Sequence, residues 1–172
     1  VKKNPHLAWQ HMSADLVADR SFVLEAVKRN PQALQLASED FRADKEIVLE
    51  AVTMDGLHRT LQYASENLKS DKDIALKAVG HNGFALEYVS EDLRADREVV
   101  LEAVKQNGCA LEFASEGLRA NKEIVLEAVM QDGSALEHAR EGLCAEREFV
   151  LEAVRKNGSA LEYATLDLQA DK

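Results

Sequence analysis

The residues of this 172-residue chain with the widest chemical repertoire are its five histidines, which we examined first as metal ligands or acid–base groups. They are His6, His11, His58, His81 and His138. No pair of them has the His-x-x-x-His spacing, with a carboxylate, that a zinc site on one helix needs. A glycine-rich phosphate-binding loop is also missing from the sequence. We therefore predict no metal, no cofactor and no catalytic residue, and we expect that the chain is not an enzyme.

The two cysteines and one of the histidines have simpler structural explanations. Cys109 and Cys144 are too few to define a disulfide framework, and we expect two reduced thiols. His138 occupies the position that Tyr88 and Phe113 hold in other copies of the repeat described below, so we expect it to act as a packing residue.

Carboxylates recur at one position of the repeat and could line a groove for basic segments or cations. These residues are Glu25, Glu50, Glu102, Glu127 and Glu152, and Lys77 interrupts the series. Basic residues recur at two other positions, namely Arg42, Lys69, Arg94 and Arg119, and Lys45, Lys72, Arg97, Lys122 and Arg147. We favour mutual compensation of these charges on a solvated surface over a binding groove.

The whole chain is organised as a tandem repeat. One phrase recurs with units that begin near residues 19, 44, 71, 96, 121 and 146, so the spacing is 25 residues except for one interval of 27. A constant period of this length is typical of a solenoid. Both ends of the sequence match parts of a unit, and we predict a single array over residues 1–172 that is a fragment of a longer one.

Each unit is predicted to contain two helices. Asp96 can cap a long helix over residues 97–106, whose apolar cluster Val99–Val104 covers more than a third of its surface. We expect Gly108 to end this helix in the left-handed conformation, and a shorter helix to follow. In two units the shorter helix begins with a Ser-x-x-Glu capping box, as in Ser134–Glu137. Residues 115–120 then return the chain, with Leu118 in the seam between helices.

These units predict an all-α fold, a right-handed α-α superhelix of about six helix-turn-helix units and roughly 60 Å in length. Pro5 and Pro31 replace the turn glycine, so their turns are predicted to adopt another geometry, with proline in the first turn of the second helix. Two additional residues in Gly56–Leu61 lengthen one loop and present His58 and Arg59. Gly80 is expected to weaken its helix by about 1 kcal/mol relative to alanine.

Composition restricts the class of partner. The chain is 46% hydrophobic with 5% aromatic residues, and its net charge of −10 disfavours nucleic acid and anionic membranes. No apolar run is long enough to span a membrane, and the first residues do not resemble a signal peptide. We therefore predict a soluble cytoplasmic protein that contacts neither nucleic acid nor membrane.

Two phrases carry a resemblance to a known family. The segments Glu91–Val104 and Asn82–Tyr88 resemble the tandem helical repeats of the domain-of-unknown-function family 4116, and the likeness covers nearly the whole chain. The resemblance implies a multi-copy helical array without a catalytic residue. Short helical leucine-rich variant repeats are similar to a lesser degree.

The pair of residues before each turn varies most between units and is the candidate partner-binding edge, although drift of solvent-exposed residues also explains the variation. We select Lys28, Arg29, Met54, His81, Lys105, Gln106, Met130, Gln131, Arg155 and Lys156. The predicted function is a scaffold for a protein or peptide partner. The alternatives are a spacer or self-stacking array, joined end to end through Val1, Leu7 and Leu168, and a regulatory array attached to an enzyme outside this segment.

Overall fold

The helices that the structure describes follow one repeating pattern. The structure is a computed structural model that describes residues 14–54 and 59–164. We number the units from their first residue: unit 1 begins at residue 19, unit 2 at 44, unit 3 at 71, unit 4 at 96, unit 5 at 121 and unit 6 at 146. Within the described ranges the secondary structure is entirely helical, without a strand. The predicted all-α repeat array is confirmed.

A unit contains three helices rather than the two that we predicted. The long α-helices are Arg20–Arg29, Lys45–Met54, Lys72–His81, Arg97–Gln106, Lys122–Gln131 and Arg147–Lys156. The 3₁₀ helices that follow them are Pro31–Leu36, Thr60–Tyr63, Gly83–Tyr88, Gly108–Phe113, Gly133–His138 and Gly158–Tyr163. The short α-helices are Ala14–Val17, Glu39–Arg42, Glu66–Lys69, Glu91–Arg94, Glu116–Arg119 and Glu141–Cys144.

The long helices form as their sequence predicts. In unit 4 the Asp96 carboxylate accepts hydrogen bonds from the N–H groups of Glu98 and Val99, and it thereby satisfies two of the donors that the first turn leaves free. The helix buries Val99, Val100, Ala103 and Val104. Apolar side chains on adjacent faces are buried together because the helix packs beside the long helices of units 3 and 5 and against two 3₁₀ helices.

The second helix differs from the prediction in type and in its cap. It is a 3₁₀ helix, and its cap in unit 5 is Asp132, whose side chain accepts from the N–H of Ser134. Ser134 lies inside the helix and donates its hydroxyl to Asp132, so the predicted capping box Ser134–Glu137 is wrong. One residue thus both ends the long helix and begins the next, because an Asx side chain can bond to an N–H two residues on.

The turn glycines serve a different purpose from the one predicted. None of the described glycines has the positive φ of a left-handed residue, so this expectation for Gly108 is wrong. A Cβ at Gly108 would lie 2.3 Å from the carbonyl oxygen of Ala128, in the long helix of unit 5. Gly83 approaches Ala103 of unit 4 in the same way. Glycine is required here because the backbone of the following unit comes too close for a side chain.

The proline turn follows the same geometry as the glycine turns. Asn30, before Pro31, has φ −149° and ψ 100°, close to the φ −152° and ψ 115° of Asn107. Pro31 is the first residue of its 3₁₀ helix, as predicted, but the different turn geometry is wrong. No residue of this turn needs a positive φ, so proline is compatible with it. The predictions for Pro5 and for the loop with His58 lie outside the described residues.

Consecutive units are joined through backbone as well as side chains. The N–H of Ser115, which caps the short helix of unit 4, donates to the carbonyl oxygen of Arg94 in unit 3 at 2.9 Å. Equivalent bonds join Ser65 to Arg42, Ser90 to Lys69 and Arg140 to Arg119. Leu118 packs half-buried against the core, in the seam predicted for it. The repeated units therefore form one continuous apolar core.

Candidate binding groove

The long helices of units 2, 3 and 4 lie side by side and enclose an open groove of about 930 Å³. Its floor contains one leucine from each unit, Leu49, Leu76 and Leu101. All three are half-buried, and their buried parts pack against the core. We had expected Leu101 to be part of the buried helix face, but the structure places it at the boundary between core and solvent. The groove is thus an apolar surface that water can reach.

The first rim of the groove consists of ion pairs between units. The ammonium of Lys72, the first residue of its long helix, lies 2.8 Å from the Asp96 carboxylate and 2.9 Å from Glu98. The other bridges of this kind join Arg20 to Asp44 and Glu46, Lys45 to Asp71 and Asp73, Arg97 to Glu123, and Lys122 to Glu146. Each cation therefore joins its unit to the start of the next.

These bridges replace the compensation that we predicted. The basic series of Lys45, Lys72, Arg97 and Lys122 is indeed paired, but not with the glutamate series that includes Glu102. Its partners are the cap residue and the second helical residue of the following unit. The difference arises because stacking brings helix N-termini together, where carboxylates are also favoured by the helix dipole.

The ion pairs of the first rim shift the pKa values of the groups that form them. Hydrogen bonds from the cations of the preceding unit, followed by bonds from backbone N–H groups, lower the pKa of the cap carboxyls Asp44, Asp71 and Asp96. The same bridges raise the pKa of Lys45 and Lys72. Both kinds of shift favour the ionised forms of these groups. The inter-unit bridges as a whole contain more carboxylates than cations, whereas the four rim residues that line the groove balance, since Lys45 and Arg97 face Asp73 and Glu98.

The second rim, toward the C-terminal half of the long helices, has cations that are not compensated. It contains Lys77, Glu102 and Lys105. Neither lysine forms an ion pair within the described part of the chain. Glu102 accepts a hydrogen bond of 3.4 Å from the Gln106 amide. The two exposed ammonium groups are therefore free to meet a partner.

Gly80 helps to open this rim. Gly80 is the last residue but one of the long helix of unit 3, and Lys105 is the equivalent residue of unit 4. The nearest atom to an added Cβ would be the Glu102 carboxylate oxygen at 3.6 Å, which is an ordinary contact. No side chain therefore crosses the groove between the helices of units 3 and 4 at this point.

The predicted partner-binding edge lies at the ends of the long helices. All ten residues are exposed and occupy the last two positions of their helices, one edge of the stack: Lys28, Arg29, Met54, His81, Lys105, Gln106, Met130, Gln131, Arg155 and Lys156. The side chains of Met54 and Met130 are 55% and 42% exposed. Only Lys105 among the ten lines the groove. Their role in binding stays a prediction.

Sequence analysis did not identify the leucine floor. Its signal was present, because a leucine recurs at the fifth position of every long helix beside the glutamate series. We interpreted it as core, since apolar periodicity does not distinguish a buried row from one at the edge of a groove. In unit 6 the equivalent Leu151 is 40% exposed.

The chemically reactive side chains do not converge in the described structure. His81 is exposed, and His138 is half-buried and accepts through its backbone oxygen from Arg119. Within residues 14–54 and 59–164, no group of histidine, cysteine or carboxylate side chains has the arrangement of a metal site. Cys109 and Cys144 are free thiols, and burial raises the pKa of both.

A stack of short helical units with a shared core defines an all-α tandem-repeat array, or α-solenoid. The chain belongs to the domain-of-unknown-function family DUF4116, whose model matches residues 1–42, 44–94, 71–119, 96–144 and 121–169. This confirms the resemblance described from the sequence. No curated protein and no solved structure matches the chain. None of its described helices has the length and apolar character needed to cross a membrane.

Proposed function

We propose that this repeat array is a non-enzymatic scaffold that binds a protein or peptide partner in the groove across units 2, 3 and 4. The observation that supports the proposal is the half-exposed leucine floor between two charged rims. Surfaces that combine an apolar centre with a polar rim are typical of protein recognition. The free thiols and the net charge of −10 are compatible with a cytoplasmic location, which is part of the proposal.

The leucine floor has apolar area that a bound partner can bury. Leu49, Leu76 and Leu101 belong to three consecutive units, so a segment lying across the stack can contact all three. Each Å² of apolar surface removed from water contributes about 25 cal/mol.

Affinity capture with matched variants tests the proposal. Leu76→Asp places a charge in the floor, and Lys105→Glu combined with Arg155→Glu reverses the predicted edge. Arg140→Glu, at an exposed residue that does not line the groove, is the control. We expect a specific partner, identified by quantitative mass spectrometry, to be lost from the first two variants and retained by the control. Thermal denaturation verifies that the variants fold.

The charge-reversal variant keeps the test decisive if Leu76→Asp does not fold, because both of its positions are exposed. If every specific partner remains bound to the folded groove and edge variants, the proposal is wrong.

Self-stacking is a second candidate function, favoured by the end of unit 6. Leu161 is 43% exposed, whereas the equivalent Leu111 and Leu136 are fully buried by the following unit. A Cβ at Gly158 would meet no atom within 4 Å. This surface has the shape that receives another unit, whether of the same chain or of a second molecule. The predicted contacts through Val1, Leu7 and Leu168 lie outside the described residues.

Light scattering over a wide concentration range distinguishes this candidate from the scaffold. Self-stacking predicts a mass that increases with concentration and decreases in Leu161→Asp. A constant monomer mass at high concentration would count against it.

A further inference from the structure

We propose that the occupant of the groove is an acidic amphipathic helix that places its apolar side chains on the leucine floor and its carboxylates against Lys77 and Lys105. The inference rests on the proposed function and adds the chemistry of the partner. It is supported by the unequal charge of the two rims and by the spacing of the floor.

One residue of the groove departs from the charge pattern of the repeat. Lys77 stands where Glu25, Glu50, Glu102, Glu127 and Glu152 stand in the other units. Lys77 thus has the opposite charge to its equivalents. It lines the middle of the groove, because its helix, in unit 3, lies between the helices of units 2 and 4. It forms no ion pair with a described residue, and neither does Lys105.

The cations of the first rim near the floor already form ion pairs within the chain. Lys45 bridges to Asp73, and Arg97 bridges to Glu123, within the first rim. A partner therefore meets two unpaired cations and one carboxylate, Glu102, which accepts only a long hydrogen bond from within its own helix. The charge of these groups favours an acidic segment in the groove, although the net charge of the whole chain is −10.

Distance decides between short-range attraction and long-range repulsion. At physiological ionic strength, charges separated by more than about 8 Å are largely screened, so the two lysines dominate the interaction with a short acidic segment in contact with them. A nucleic acid presents a long line of phosphates to the acidic surface and has little apolar surface for the leucine floor. The groove thus favours an acidic peptide over nucleic acid.

The spacing of the floor favours a helix. Helices pack at about 10 Å, so leucines of consecutive units are separated by about that distance. In an α-helix, residues seven apart lie on one face and about 10.5 Å from each other. An extended strand reaches a similar distance after three residues, but these point to opposite sides. An amphipathic helix therefore presents one apolar side chain to each leucine.

A peptide-display selection tests the inference. A library of random 16-residue peptides is selected on the wild-type chain, and peptides that also bind the uncharged floor variant Leu76→Asn are removed, so that the counter-selection does not itself favour one sign of charge. We expect the remaining peptides to be acidic, with apolar residues at helical spacing. Synthetic copies, labelled with fluorescein, are then titrated by fluorescence polarisation.

Lys77→Glu is the decisive variant, because Lys77 is exposed and glutamate is the residue that the other units have at this position; thermal denaturation verifies that the variant folds. We expect it to weaken binding by about two- to fivefold, the effect of one exposed ion pair. Glu102→Lys should strengthen binding by a similar factor. Arg140→Glu, the control away from the groove, should leave the affinity unchanged, and duplex DNA should not compete.

Two results would overturn the inference in distinguishable ways. Groove-dependent peptides that are basic, or whose affinity does not respond to Lys77→Glu, would exclude the acidic helix and retain the groove as a peptide site. The absence of any groove-dependent peptide would contradict both the inference and the proposed function.

Discussion

Two surfaces of each unit, the seam and the groove, are built from the same residue types but differ in burial. The seam is the contact of the 3₁₀ helices with the long helices of neighbouring units, and it contains leucine and glycine with no exposure, as at Leu111. The groove also contains leucine, at Leu101, and Gly80 lies beside its lining residue Glu102; both Leu101 and Gly80 remain partly exposed. The difference indicates that the seam stabilises the array, whereas the groove leaves apolar surface in contact with water, which is the basis of the proposed binding site.

Leucine truncation should separate the two surfaces most strongly. Leu111→Ala removes a fully buried side chain from the seam, and we expect a loss of about 3 kcal/mol in the free energy of unfolding. Leu101→Ala in the groove should cost about 1 kcal/mol, because part of the side chain is already in water. Urea denaturation monitored by circular dichroism measures both. Equal losses would show that the groove leucines are ordinary core residues.

Acid should weaken the ion pairs of the first rim, which join consecutive units. The cap carboxyls Asp44, Asp71 and Asp96 have pKa values below those of the unfolded chain, so their contribution is complete above the unfolded value and is lost as pH falls through the folded pKa. We expect the urea midpoint to be constant from pH 7 to about 5 and to fall below about pH 4.

The matched control for acid replaces all three caps with asparagine, which still caps a helix but cannot ionise. The triple variant should lose about 1–2 kcal/mol at pH 7 and show a smaller acid dependence than the wild type. An unchanged acid dependence would contradict the assignment of the bridges. Asn121 already caps the long helix of unit 5 in this way.

The smallest effect is expected at the groove glycine. Gly80→Ala should stabilise the chain by about 0.5–1 kcal/mol, because alanine is a better helix residue and the added Cβ makes only an ordinary contact with Glu102. Thermal unfolding measures the change, with Gly117→Ala in an open short helix as the comparison. A destabilised Gly80→Ala would show that the groove is tighter than described.

Local rules predicted the long helix well because its cap and apolar face are encoded within a few residues. Asp96 and the cluster Val99–Val104 were sufficient to place it. The 3₁₀ helix was predicted as an α-helix because six residues, such as Gly108–Phe113, are too few for apolar spacing to separate the two types. The Ser-x-x-Glu phrase in unit 5 suggested a cap that Asp132 supplies instead.

The groove and the role of glycine depended on contacts between units, which no single unit encodes. A glycine at the end of a helix has the same appearance whether it provides a left-handed turn or space for a neighbour. Likewise, Leu101 has the sequence pattern of a core residue, but in the stacked units its side chain is half-exposed. From the sequence, Lys77 is only an exception in a series of glutamates; that it forms no ion pair with a described residue depends on the positions of the neighbouring units.

The most direct test of stacking compares two glycines at the same position of the repeat. Gly108 faces the Ala128 carbonyl of the following unit, and Gly158 has no atom within 4 Å of its added Cβ. We predict that Gly108→Ala lowers the free energy of unfolding by about 3 kcal/mol and that Gly158→Ala leaves it nearly unchanged. An equal loss in both variants would show that the glycine serves its own turn, and would contradict the close approach of successive units.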